Sequence, residues 1–365
     1  MVERSPMMVE KSPIVDIRED VAGLPRYIPG ALPDAPDVAK LSSNENPYLP
    51  PEVVRAAGRE AMEVVNRYPD MAARDLTAKI AQYHGVSTDQ VVLGTGSSAL
   101  LVHAMTTVGR PGSKVVYAWR SFESYPIATV TAGSVAVPVP LAERGRHDLP
   151  AMARAVDADT SAVIVCNPNN PTGAAHTLDE IRSFLQQVPS RVLVIIDEAY
   201  IDFATEPGVQ TALPLIEEFP NIVIARTFSK AFGLAGARVG YMIGEPALIG
   251  AISKVATPFG VSHVAQKLAI SALENHEWVR EAVAKLVRER GRVWQALHDM
   301  GADPVPSQSN FIWVPAEVLD PAVVLDACGV GKVLIRSFPE GTRISVGLPE
   351  ENDRVIEIFQ GLFEA

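Results

Sequence analysis

Lys230 stands in TFSKAFGLAGARVGY, residues 227–241, directly after the β-branched run NIVIART. A lysine that leaves a strand and opens a turn of small residues lies at the carboxyl edge of a sheet, where α/β proteins bind ligands. Its amine is a nucleophile toward carbonyls and a proton carrier, so one side chain can both tether a ligand and shuttle a proton. Ala231, Gly233, Ala235 and Gly236 leave room for a bulky ring beside the backbone. An isolated lysine is far more often a solvated surface residue. Three neighbouring motifs reverse that expectation.

The first is RVLVIIDEAYIDF, in which an apolar strand runs straight into Asp197. A carboxylate at a strand end is partly desolvated, which is costly unless a cation meets it, and a protonated ring nitrogen is such a cation. A turn or cap aspartate is the plainer reading of this residue alone. Tyr200, three residues on, can offer its phenol to the same ligand. The second motif is CNPNNPTG, residues 166–173, where two X-Pro units and a glycine stiffen the turn and aim Asn170 inward. The third is GTGSSALLVHAM, residues 94–105. A glycine-rich turn that opens a helix offers free N–H groups to a phosphate, and Ser97 and Ser98 add hydroxyls. Arg238 can clamp the same phosphate with its planar fork.

These residues must be held by a sheet. VVLGT, KVVYA, SVAVPVP, SAVIVCN, RVLVIID and NIVIART read as short strands alternating with helical segments, the first being PEVVRAAGREAMEVV. That alternation predicts an α/β fold with a mostly parallel central sheet covered by helices. A helix is expected from about Thr177. After about residue 262 the pattern becomes one long amphipathic helix to about residue 300, followed by strands FIWV, KVLIRSF and TRISVG and a closing helix from Glu351. The expected division is an N-terminal arm over residues 1–45 that joins the small domain, a large domain over 46–262 and a small α+β domain over 263–365. The arm holds turns and no core of its own, so it should wrap back onto the rest.

At 365 residues the chain exceeds the usual core of roughly 100–200 residues. Hydrophobic residues make up 47%, and no apolar run approaches the ~20 residues that span a bilayer. The net charge of −11 without a long basic run argues against nucleic acid or an anionic membrane as partner. Cys166 and Cys328 are too few for a disulfide framework and form no metal motif, which predicts no metal and a reduced, cytoplasmic location. MVERSP at residues 1–6 is nearly repeated as MVEKSP at residues 8–13, a polar tail with no signal-peptide core.

Taken together, NENP, NRYP, NPNNPTG, DEAY, SKAFGLAG with its arginine, and TRISVG resemble the fold-type I aminotransferases of the histidinol-phosphate aminotransferase-like group, from about Tyr27 onward. WRSFESYP, CNPNNPTG, RTFSKAFGLAGARVGY and PEEND are most similar to the actinobacterial aromatic amino acid (phenylalanine) aminotransferases. The resemblance implies pyridoxal 5'-phosphate, carried covalently by Lys230, with Asp197 on its pyridine nitrogen and Tyr200 and Asn170 on its phenolate oxygen. It further implies Phe122 stacked on the ring, and Ser97, Ser98, Ser229 and Arg238 on the phosphate. A homodimer follows, with the partner subunit's Tyr68 reaching that phosphate. Arg343 would bind the substrate α-carboxylate, Arg336 its distal group, and Tyr27 and Asn46 would line the entrance. The implied substrates are an amino acid and a 2-oxo acid.

One departure bears on the substrate. Histidinol-phosphate enzymes usually carry an acid pair after the position of Ser97, whereas this chain has Ser98 and Ala99. Tyr27, Trp119, Phe122, Tyr125 and Phe259 suit a flat apolar side chain, or serve as packing. An aromatic amino acid aminotransferase using 2-oxoglutarate is therefore the leading reading, a histidinol-phosphate aminotransferase the second, and a lyase or decarboxylase of the same fold the third.

Overall fold

A computed structural model describes residues 15–364, so the duplicated hexapeptide lies outside the described residues. β1 spans Ala39–Lys40, β2 Val91–Gly94, β3 Lys114–Trp119, β4 Val135–Pro140, β5 Thr160–Cys166 and β6 Leu193–Asp197. β7 spans Ile222–Thr227, β8 Gly240–Gly244, β9 Phe311–Pro315, β10 Val333–Leu334, β11 Arg336–Phe338 and β12 Gly341–Ser345. Seven strands form the central sheet in the order β2-β8-β7-β6-β5-β3-β4. β8 pairs antiparallel with both of its neighbours and every other pair is parallel, so six strands share one direction.

β5, β6 and β7 are buried along their whole length, which is why they read as continuous apolar runs rather than as alternation. Their carboxyl ends are brought level by the register, with Cys166 opposite Asp197 and Asp197 opposite Ala225. Asp197, the NPNNP turn and Lys230 consequently open on one edge of the sheet. The side chain of Glu198, next along the chain, is buried against Arg226 Nη1 at 3.0 Å. The predicted helix after the NPNNP turn spans Leu178–Leu185 and is capped by Thr177 and Glu180 in a reciprocal box.

The long helix expected after residue 262 is two helices, His263–Glu274 and His276–Asp299. Asn275 leaves helical geometry at φ −111° and ψ 34°, and its side-chain amide donates to the Ser271 carbonyl, which ends the first helix. The closing helix starts at Pro349, two residues before the expected Glu351, where proline presets the first helical turn.

β11, β12 and β9 form an antiparallel sheet, in which Arg336 and Arg343 are directly opposed partners. The opposed positions put both guanidinium groups on one face. The N-terminal segment returns to this region, since β1 pairs in parallel with β10 and Arg343 Nη2 donates to the Ser42 carbonyl at 2.7 Å. Cys166 and Cys328 are both free and buried. Among the described residues no helix is long and apolar enough to cross a membrane, and no group of acidic, histidine and cysteine side chains could hold a metal ion.

Candidate active site

Two adjoining cavities open at the carboxyl edge of the central sheet, and both are lined by Tyr27, Ser43, Phe122, Asn170, Tyr200 and Lys230. The larger, ≈ 350 Å³, adds Ser97, Ser98, Asp197, Thr227, Ser229 and Arg238. The smaller, ≈ 160 Å³, adds Glu123, Arg336, Phe338 and Arg343. Lys230 thus sits at the junction of a chamber that holds Asp197 and Arg238 and a chamber that holds Arg336 and Arg343.

The Lys230 amine donates to the Ser43 carbonyl at 3.0 Å. Burial, reinforced by the positive charge of Arg343, pushes its pKa down to about 7. Asp197 is 3% exposed and accepts hydrogen bonds from the Tyr125 hydroxyl at 2.9 Å and the Ala199 N–H at 3.2 Å. Burial nevertheless raises its pKa to about 6, against the lowering effect of the Tyr125 hydroxyl. A cation beside this carboxylate would restore its charge. Tyr200 is held protonated by burial, and its hydroxyl accepts from the Asn44 side-chain amide at 3.0 Å.

The opposite end of the larger cavity is built for an anion. The helix Ser97–Val108 starts after Gly96 with no side-chain cap, so its first N–H groups are not taken by a capping side chain. Gly96 has φ +78°, and a Cβ there would lie 2.7 Å from Arg238 Nη2. A Cβ at Gly240 would lie 2.6 Å from the Ser97 nitrogen. Both glycines therefore let Arg238, itself at φ +55°, close over the helix start. A flat ring with a cationic nitrogen at one end and a phosphate at the other matches the chemistry of this cavity.

Arg343 is buried, with Nη1 donating to Asn170 Oδ1 at 2.6 Å and Nη2 to the Ser42 carbonyl. Both acceptors are neutral, Nε has no partner, and among the described residues no carboxylate lies within 4.0 Å of it. Burial lowers its pKa and the positive charge of Arg336 adds to this, against the raising effect of Tyr200, Tyr27 and Glu123. A buried cation held by neutral groups is a receptor for a carboxylate.

Several expected residues are elsewhere. Asn46 lines neither cavity: its side chain bridges the Ala231 carbonyl and the Tyr48 N–H, and Asn44, two residues earlier, faces the site instead. Asn44 takes φ +54°, a conformation asparagine tolerates, and this reverses which residue of NENP points inward. Tyr125 is fully buried as the donor to Asp197 and does not line the substrate space. Trp119 lines neither cavity. Tyr68, 84% exposed, and Phe259 pack against each other with their rings tilted by 32° and centroids 4.7 Å apart, and both lie outside both cavities of this chain. The aromatic walls are Tyr27, Phe122, Tyr200 and Phe338. Ser43, Asn44, Glu123 and Phe338 were not singled out from the sequence as site residues, although Asn44 lies in NENP and Glu123 in WRSFESYP.

A mostly parallel sheet with lysine, aspartate and asparagine converging at its carboxyl edge is the architecture of fold-type I aminotransferases. The chain belongs to the family described as Aminotransferase class I and II, whose sequence pattern matches residues 36–359, and it is a transaminase. It is 43% identical over 347 residues to the aromatic amino acid aminotransferase of Thermobifida fusca (strain YX), covering 94% of this chain and 96% of that one. It is 42% identical to the aromatic amino acid aminotransferase of Streptomyces coelicolor, covering 96% and 98%. Its fold superposes with a TM-score of 0.86 on the histidinol-phosphate aminotransferase of Sinorhizobium meliloti in complex with pyridoxal-5'-phosphate, at 28% identity, over 96% of this chain and 99% of that chain.

Proposed function

We propose that this chain is a cytoplasmic, pyridoxal-phosphate-dependent homodimer that transfers the amino group of phenylalanine, tyrosine or tryptophan to 2-oxoglutarate. The observation that carries the proposal is the buried Lys230 amine between the Asp197 cavity and the Arg343 chamber. Bound pyridoxal phosphate supplies an electron sink conjugated to the substrate Cα. Lys230 would hold it covalently, and its Nζ would then carry the proton of the substrate Cα. Asp197 would keep the ring nitrogen protonated, Asn170 and Tyr200 would hold the ring oxygen, and Phe122 would pack against the ring. Ser97, Ser98, Ser229, Arg238 and the partner subunit's Tyr68 take the phosphate. Arg343 orients the α-carboxylate, and Tyr27 closes the mouth of the chamber.

The aromatic preference is supported by the two curated relatives and by the walls of Tyr27, Phe122 and Phe338 around the smaller cavity. The Sinorhizobium likeness keeps histidinol phosphate as the second reading. Arg336 separates the two, because a phosphate dianion calls for several donors whereas one planar fork suits a distal carboxylate. Arg336→Ala is expected to raise the KM for 2-oxoglutarate by roughly 10- to 150-fold, the loss of one charged hydrogen-bonded contact worth about 1.5–3 kcal/mol, with far less change for phenylalanine. Equal effects on both substrates in steady-state kinetics would contradict this.

The lysine also sets a pH dependence. With a pKa near 7, Lys230 is protonated and unreactive below that pH and a free base above it. Covalent capture of pyridoxal phosphate by cofactor-free enzyme should accelerate about tenfold per pH unit up to about pH 7 and then level off. Stopped-flow absorbance measures it, and a rate still rising tenfold per unit at about pH 9 would show an ordinary lysine.

A further inference from the structure

Arg336 is already engaged. Its Nη2 donates to Glu123 Oε2 at 2.7 Å and its Nη1 to the Pro29 carbonyl at 3.2 Å. Both residues line the smaller cavity, with the Arg336 side chain 13% and the Glu123 side chain 30% exposed. The guanidinium carbon also stands 5.5 Å from the centre of the Phe338 ring. Across the strand pair stands Arg343, the direct register partner of Arg336. Two opposed guanidinium groups on one face repel, and Glu123 is the carboxylate that balances one of them.

We infer that Glu123 is a specificity-determining residue, an internal carboxylate that occupies the Arg336 fork until a substrate carboxylate displaces it. The inference rests on the aminotransferase reading and concerns how one chamber accepts two kinds of side chain. An aromatic substrate brings no side-chain charge, and without Glu123 it would leave Arg336 as an unpaired, largely buried cation. With Glu123 in place the cation stays paired and Phe338 continues the flat wall. A dicarboxylate brings its own anion, takes the Arg336 fork, and releases Glu123 toward solvent. Its net gain is the difference between two ion pairs. A phosphate ester brings more negative charge and meets Glu123 as a repulsive element, which disfavours it.

Steady-state kinetics of the cofactor-loaded enzyme test this on wild type, Glu123→Gln, Glu123→Asp and Glu123→Gln in an Arg336→Ala background. Glu123→Gln keeps shape and removes charge. It is expected to lower the KM for 2-oxoglutarate roughly fivefold to tenfold, raise that for phenylalanine, and leave kcat within about twofold. Glu123→Asp should retain wild-type discrimination, and Glu123→Gln should have no effect once Arg336 is alanine. An unchanged or higher KM for 2-oxoglutarate overturns the inference. So does an equal drop in the Arg336→Ala background, which would mark a general charge effect. The half-reaction with glutamate reads the same exchange without an aromatic donor, so failure of the aromatic reading appears separately, as wild-type enzyme that does not react with phenylalanine.

Discussion

Lys230→Ala is expected to lower turnover by roughly 10²- to 10⁴-fold, the scale of losing a positioned proton-transfer group, before loss of the covalent tether is counted. No neighbour can replace it. The remaining side chains that line both cavities are Tyr27, Ser43, Phe122, Asn170 and Tyr200, and burial keeps the Tyr200 phenol protonated. The protein should remain folded. The substitution leaves the Ser43 carbonyl without its donor, a cost of about 1–3 kcal/mol, but it also removes a buried amine whose charge is disfavoured there. The variant should still take up pyridoxal phosphate non-covalently through Asp197, Arg238 and the helix start. Steady-state assays with circular dichroism check both halves. Activity above a few per cent of wild type without an added small amine would contradict the assignment.

Asp197→Asn is the second large effect. The carboxylate is buried at the end of β6, with the Tyr125 hydroxyl and the Ala199 N–H as its donors. In the proposed role it faces a cation, and an amide of the same shape cannot balance that charge. Breaking a buried ion pair costs about 3–5 kcal/mol, so removal of the substrate Cα proton should slow by roughly two to four orders of magnitude. Single-turnover rates with phenylalanine measure this step. Attachment at Lys230 should persist, since the lysine is untouched. An unchanged single-turnover rate would mean that Asp197 is a structural turn residue, the plainer reading of a strand-end aspartate.

Lys230, Asp197 and Asn170 were legible in the sequence because each ends or follows a run of buried strand residues, and such runs are unambiguous when the strand is covered on both faces. Ser97 and Arg238 were legible only together, since a glycine-rich helix start alone is a weak signal and an arginine able to clamp the same phosphate makes it coherent. Residues outside regular elements were not. The segment LSSNENP has no periodicity to say which asparagine points inward, and only the positive φ of Asn44 decides it. Long-range partners were equally invisible: Glu123 lies 213 positions from Arg336, and Tyr125 lies 72 from Asp197. Tyr125 was therefore readable from the sequence as pocket lining or as packing, whereas its hydroxyl serves the buried carboxylate. The break at Asn275 was hidden because apolar periodicity continues on both sides of it.

The central claim is amino transfer from an aromatic donor, and the first half-reaction tests it without help from the acceptor. Cofactor-loaded enzyme is mixed with phenylalanine alone, and then with histidinol phosphate alone, while absorbance follows conversion of the cofactor to its amine form. The account predicts complete conversion by phenylalanine with one equivalent of the aryl 2-oxo acid released per site, at a specificity at least about tenfold above that for histidinol phosphate. Conversion by histidinol phosphate with phenylalanine inert would contradict it.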